Sequence, residues 1–155
     1  MASTTSSTTT RERLEATSRA FLSAFEEGGA QNDPSIINRD VTADCRRHML
    51  PASIYEAFGL PADFAFDTTK FQETFAKDLK VMKFKNNLMS NLVIDTEARR
   101  AAFTSIAEVH PHNGKTYQVE QAWVLYFNED GSKVNKVIEF CDKEAILKMA
   151  NGFLQ

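Results

Sequence analysis

Apolar and polar residues alternate most regularly between Tyr117 and Asp142, YQVEQAWVLYFNEDGSKVNKVIEFCD. Tyr, Val, Trp, Leu and Phe suit a pleated, half-buried surface, so this stretch predicts two long strands. The turn Asn128-Glu129-Asp130-Gly131 divides them, and Asp-Gly between two such runs is a strong hairpin signal. Upstream, Leu14, Phe21 and Phe25, with Ala20, Leu22 and Ala24, fall on one face of a helix from Arg11 to Glu27. Gly28-Gly29 ends that helix. Asp33-Pro34 reads as an N-cap followed by proline at the first helical position, opening a short helix to about Asp40. Val41 to Leu50 is a strand that Pro51 terminates; alternation puts Cys45, Arg47 and Met49 on one face and Asp44, Arg46 and His48 on the other. Pro51 to Phe58 forms a helical turn. Asp67 caps a longer helix in which Phe71, Phe75, Leu79 and Met82 recur at helical spacing. Strands from Asn87 to Asp95 and from Arg99 to His110 follow, and Asn113-Gly114 turns the chain into the hairpin. Asp142 caps a closing helix from Lys143 to about Phe153, with Ile146, Leu147, Ala150 and Phe153 as its apolar stripe.

Helices first and an antiparallel meander later indicate an α+β architecture. A strongly twisted antiparallel sheet wrapped over the long helix leaves a conical cavity between them, a natural ligand site. Residues 1–10, MASTTSSTTT, offer almost nothing apolar to bury and are expected to form a disordered tail, leaving residues 11–155 as a single domain.

Composition narrows the partners. The net charge is −3 and the signs are interspersed. No basic stripe presents itself to nucleic acid or to an anionic membrane, and neither is expected as a partner. The two cysteines, Cys45 and Cys141, lack metal-ligand spacing, and no apolar run is long enough for a secretory leader or a membrane span. A reducing, cytoplasmic location is therefore expected, with both thiols as small buried hydrophobes.

The candidate chemistry is proton transfer. Glu120 and Glu139 sit among apolar neighbours in the hairpin, where a carboxylate must be paired, hydrogen-bonded or neutral. Counting outward from the turn sets Glu120 opposite about Glu139 or Phe140, as cross-strand neighbours. Two carboxylates that close divide into an acid and a base; the alternative is that each pairs with a cation such as Lys136 on a solvated face. His48, beside Arg46 and Arg47, is kept neutral by positive charge and so is suited to be a general base, or else it is a histidine hydrogen-bonded at the sheet rim. Arg47, on the opposite face, suits an anionic oxygen or a carboxylate partner, and one of the two faces the cavity. His110 reaches the cavity mouth. Tyr117 and Trp123 either donate to a substrate oxygen or pack in the core, and Phe58 and Phe75 belong to the apolar wall. Asp142 is accounted for by its cap. A metal site needs three or four convergent ligands, which His110-Pro111-His112 and His48 do not supply. There is no Gly-rich phosphate loop and no nucleophile elbow.

Two local patterns carry a family resemblance. Asp44-Cys45-Arg46-Arg47-His48-Met49-Leu50-Pro51-Ala52-Ser53 is similar to a D-C-x-x-H-x-L-P-x-S stretch of fungal SnoaL-like proteins. The second is Tyr117-x-x-Glu120, Phe127-x-x-Asp130-Gly131 and Glu139-Phe140-x-Asp142. Together with the order of elements from about Arg11 to Phe153, they make the chain resemble the nuclear-transport-factor-2-like superfamily in its SnoaL-like branch. The resemblance implies a cone-shaped half-barrel with a deep apolar pocket, a homodimer formed through the outer sheet face, and no cofactor or metal. Its relatives include polyketide cyclases, ketosteroid isomerase, scytalone dehydratase and fungal meroterpenoid isomerases. It thus implies an acid/base isomerase or cyclase, or a dehydratase, acting on a hydrophobic polyketide or meroterpenoid in secondary-metabolite biosynthesis. Other members only bind a small ligand or dimerise, so the fold leaves that alternative open.

Overall fold

The computed structural model describes residues 3–151, with side chains from 10 to 150. It contains α1 (Ser3–Ala30), a short 3-10 helix (Pro34–Asn38), β1 (Val41–Leu50), α2 (Ser53–Ala57), α3 (Thr68–Val81), β2 (Met82–Asp95), β3 (Arg100–Pro111), β4 (Tyr117–Phe127), β5 (Val134–Cys141) and α4 (Lys143–Asn151). The caps fall where the sequence puts them. Asp33 accepts from Ser35 N, Asp67 from Lys70 N at 2.7 Å, and Asp142 from Glu144 N at 3.0 Å. Phe153, assigned to the stripe of the closing helix, lies outside the described residues.

Three boundaries differ from expectation. α1 runs through Gly28-Gly29, which were expected to end it, and stops at Ala30. Residues 3–10 continue α1 instead of forming a disordered tail: once the apolar face from Leu14 onward is anchored, adding residues without Pro or Gly costs little per turn. β2 begins at Met82, directly after Val81, five residues before the predicted start at Asn87. Met82-Lys83-Phe84-Lys85 alternates as a strand does, and Asn86 and Asn91 take positive φ where the β2–β3 register shifts.

The sheet order is β1-β5-β4-β3-β2, with β1 and β2 as open edges. Three pairings are antiparallel, but β1 runs parallel to β5, so the sheet is mixed and not wholly antiparallel as predicted. The long connection from β1 to β5, through two helices and three strands, makes a parallel pairing possible where a tight turn would not. α1 lays Leu14, Phe21, Leu22, Ala24 and Phe25 against the concave face, packing them on Phe103, Trp123, Leu125 and Val137. No helix among the described residues is long and apolar enough to cross a membrane.

Register decides which side chains point inward. The turn between β4 and β5 is longer than predicted: Asn128 N bonds Lys133 O, Lys133 N bonds Asn128 Oδ1, and the first pair is Phe127 with Val134. Glu139 consequently pairs with Trp123, and the backbone of Glu120 meets Asp142. An odd shift in register moves every side chain to the other face. Glu139 is inside, Glu120 is outside, and the predicted cross-strand pair of glutamates does not form.

Candidate active site

Between α3, α4, the segment after α2 and the concave face of the sheet lies a cavity of about 390 Å³. Phe25, Phe58, Phe64, Phe66, Phe71 and Phe84 contribute six rings to its wall, Ile146 and Met149 of α4 close one side, and Lys70 and Lys77 of α3 also line it. Into this apolar space project two carboxylates, Asp78 from α3 and Glu139 from β5, with Gln121 from β4 beside them.

The two acids are held differently. Glu139 is 7% exposed and accepts from Gln121 Nε2 at 2.7 Å and from the Cys141 thiol. Burial raises its pKa, while those two donors and the nearby Arg47 charge pull it back. No hydrogen bond reaches the Asp78 carboxyl among the described residues, and its accessible surface opens into the cavity. Desolvation first, and the charge of Glu139 second, push Asp78 up to about 7. The two carboxyl groups are therefore coupled electrostatically. The negative charge falls to Glu139, which has donors to receive it, and the proton to Asp78, which has none.

Arg47 supports this arrangement from behind the wall. It is 3% exposed, lies over the Phe71 ring at 3.9 Å and donates from Nη2 to Ile37 O at 2.8 Å. Nε and Nη1 are buried with no hydrogen-bond partner among the described residues. Desolvation lowers its pKa to about 10, and Glu139 is one of the anions that opposes the shift.

Of the residues singled out from sequence, Glu139 and Phe58 line the cavity. Phe75 sits one layer back, against Phe25 and Phe84, and Trp123 is core, its indole donating to Ser105 Oγ at 2.8 Å. Tyr117 borders the adjoining hollow under Lys148. His48 and Glu120 are on the convex face, because Arg47 takes the inward position on β1 and Gln121 takes it on β4. His48 pairs with Ile138, and its pKa is lowered by burial and by Lys136. His110 is on the convex face too, bonded to Glu108 at 2.9 Å instead of opening on the cavity. No three His, Cys, Asp or Glu side chains converge as a metal site among the described residues. Sequence reasoning missed Asp78 and Gln121. Asp78 had a legible signal, since it follows Phe71 by seven residues and precedes Met82 by four, within the apolar stripe of α3.

No protein-family model matches the chain, and no curated protein matches it. Among solved structures it is similar to BvnE pinacolase from Penicillium brevicompactum, at 22% identity and TM-score 0.73 over 92% of each chain. It is also similar to PrhC from Penicillium brasilianum, at 20% identity and TM-score 0.75 over 94% of this chain and 90% of that one. An NTF2-like protein of unknown function from Burkholderia pseudomallei matches at 12% identity and TM-score 0.63, over 88% of this chain and 96% of that one. The chain has the NTF2-like α+β fold of these structures, the fold its sequence suggested. That architecture carries enzymes, a pinacolase among them.

Proposed function

We propose that the chain is an acid/base enzyme, an isomerase or cyclase that rearranges a hydrophobic, oxygenated small molecule of polyketide or meroterpenoid type. The observation that carries this reading is the presence of two carboxylates, Asp78 and Glu139, in one aromatic cavity, with donors placed on only one of them. Glu139 takes a proton α to a carbonyl or from a hydroxyl, and Asp78 delivers one to the carbon, enol oxygen or departing hydroxyl at the other end of the substrate. The phenyl rings orient a flat or polycyclic skeleton and exclude water. Such a reaction redistributes protons and carbon bonds without consuming electrons, so it requires no redox cofactor.

The likeness to a pinacolase adds vicinal diols to the substrates worth testing. There Asp78 protonates one hydroxyl, its C–O bond breaks to release water, and a neighbouring group migrates to the vacated carbon. Glu139 removes the proton of the remaining hydroxyl as the carbonyl forms.

The test is turnover of a panel of bicyclic β,γ-unsaturated ketones, α-ketols and vicinal diols by the wild type, Asp78→Asn and Glu139→Gln. Each substitution is expected to lower kcat/KM by about two to four orders of magnitude, with the wild-type profile bell-shaped in pH. Unchanged rates in both variants would exclude the assignment. Binding of apolar panel members with no turnover would leave a non-catalytic ligand-binding module.

The same fold suggests a homodimer. Its support here is the convex face, where Leu88, Val93, Ile106 and Phe140 are between 41% and 66% exposed.

A further inference from the structure

A second hollow, of about 680 Å³, lies beside the cavity, between the end of α3, the β3–β4 turn and α4. Its charged groups are of one sign. Lys80, Lys115 and Lys148 line it with His112, and no carboxylate does. None of these three lysines forms an ion pair among the described residues. In a chain of net charge −3, three unpaired cations around one hollow create a local positive field against the overall sign.

The hollow adjoins the proposed reaction centre. Met149 lines both spaces. Tyr117 stands at the boundary: Lys148 Nζ lies 4.5 Å from its ring centroid, and burial first, with the Asp78 charge second, raises its phenol pKa. A molecule with an apolar body in the aromatic cavity can therefore extend a polar arm past Tyr117 and Met149 to the lysines. Arg47 does not serve such an arm, because the Phe71 ring lies between its guanidinium and the cavity.

We propose that the hollow is an anion subsite, and that the ligand of this protein is an amphipathic anion whose carboxylate or phosphate is held by Lys80, Lys115 and Lys148 while its ring system fills the cavity. The inference rests on reading the cavity as the substrate site and deepens it by naming the substrate class. Exposed lysines each contribute little, but three on one group sum to a preference that salt screens.

Calorimetry with ω-(2-naphthyl)alkanoate anions of increasing chain length, their methyl esters and the matching ω-(2-naphthyl)alkyl phosphates tests this without turnover. At low ionic strength the wild type is expected to bind one chain length of anion about tenfold more tightly than the neutral ester. The triple variant Lys80→Gln, Lys115→Gln, Lys148→Gln should bind acid and ester equally, with ester affinity unchanged, whereas Lys133→Gln at the hairpin turn should retain the preference. A larger preference for phosphate or for carboxylate identifies the head group. Equal binding of acid and ester by the wild type, or a preference that survives the triple substitution, overturns the subsite. Anion preference without turnover of any rearrangement substrate leaves the subsite standing and overturns the enzyme reading. Failure of every probe to bind overturns both.

Discussion

Asp78 holds a proton that the unfolded chain would release, and that has a consequence for stability. Its folded pKa of about 7 stands above the ordinary value of 3.8. Between those two pH values the folded state binds the extra proton, so this group's contribution to stability falls as pH rises through the window. Above it the carboxylate is ionised in a largely aromatic wall, with no hydrogen bond to it among the described residues. Asp78→Asn is therefore expected to stabilise the protein at about pH 8, by on the order of 2 kcal/mol, and to gain nothing below about pH 4. Urea unfolding at the two pH values measures this, and an equal effect at both would rule out the raised pKa. The same residue shows what can be read from sequence. A carboxylate within the stripe Phe71, Phe75, Met82 is a visible anomaly, because a surface acid would sit on the other side of α3. His48 and Arg47 were not separable in this way: both faces of β1 carry ionisable groups, so alternation defines two faces without saying which is inner.

Within the β4–β5 hairpin, the elements were legible and their registration was not. Apolar alternation located both strands, yet the side chain of Asn128 bonds Lys133 N and that of Asp130 accepts from Ser132 N and Oγ, enlarging the turn. Those local bonds shift the pairing and so decide that Glu139 faces Trp123 while Glu120 faces outward. The enlarged turn also docks on α1. Thr17 Oγ1 donates to Gly131 O at 2.8 Å, and Arg13 Nη1 donates to Asp130 O at 3.0 Å. Gly131 has φ +74°, and a Cβ there would come within 2.8 Å of Leu14 Cδ2. Gly131→Ala is expected to cost about 1–3 kcal/mol through strain and overpacking, read as a lower urea midpoint with little change in the slope. A midpoint equal to wild type would show that the turn does not fix the hairpin to the helix.

At the scale of the molecule, the two faces of the sheet have separate chemistry. Across the convex face His48, Ile138, Val124, Ala102 and Val93 stand in one cross-strand row, and Glu120, Ile106 and Leu88 in another. The histidine and glutamate first assigned to proton transfer thus belong to the surface through which a homodimer is proposed. Sedimentation velocity is expected to find a dimer in the wild type and a monomer in Phe140→Glu, which places a charge on the most exposed ring of that surface. A monomeric wild type would end the proposal. The layered α+β plan was visible from helix and strand periodicities, whereas the parallel β1–β5 contact depends on a long-range pairing that no local pattern encodes.

The segment between α2 and α3 has a different status from the sheet. It supplies Phe58, Leu60, Phe64 and Phe66 to the cavity, and it is tied to β1 by the Arg47–Phe66 bridge. Asp78 and Glu139, by contrast, sit on α3 and β5, and α3 passes into β2 without an intervening loop. Under the proposed function, residues 58–66 can therefore be lengthened, shortened or resequenced to admit differently shaped molecules while Asp78 and Glu139 stay where they are. In a lineage of this fold, the choice of substrate would then diversify faster than the reaction performed on it.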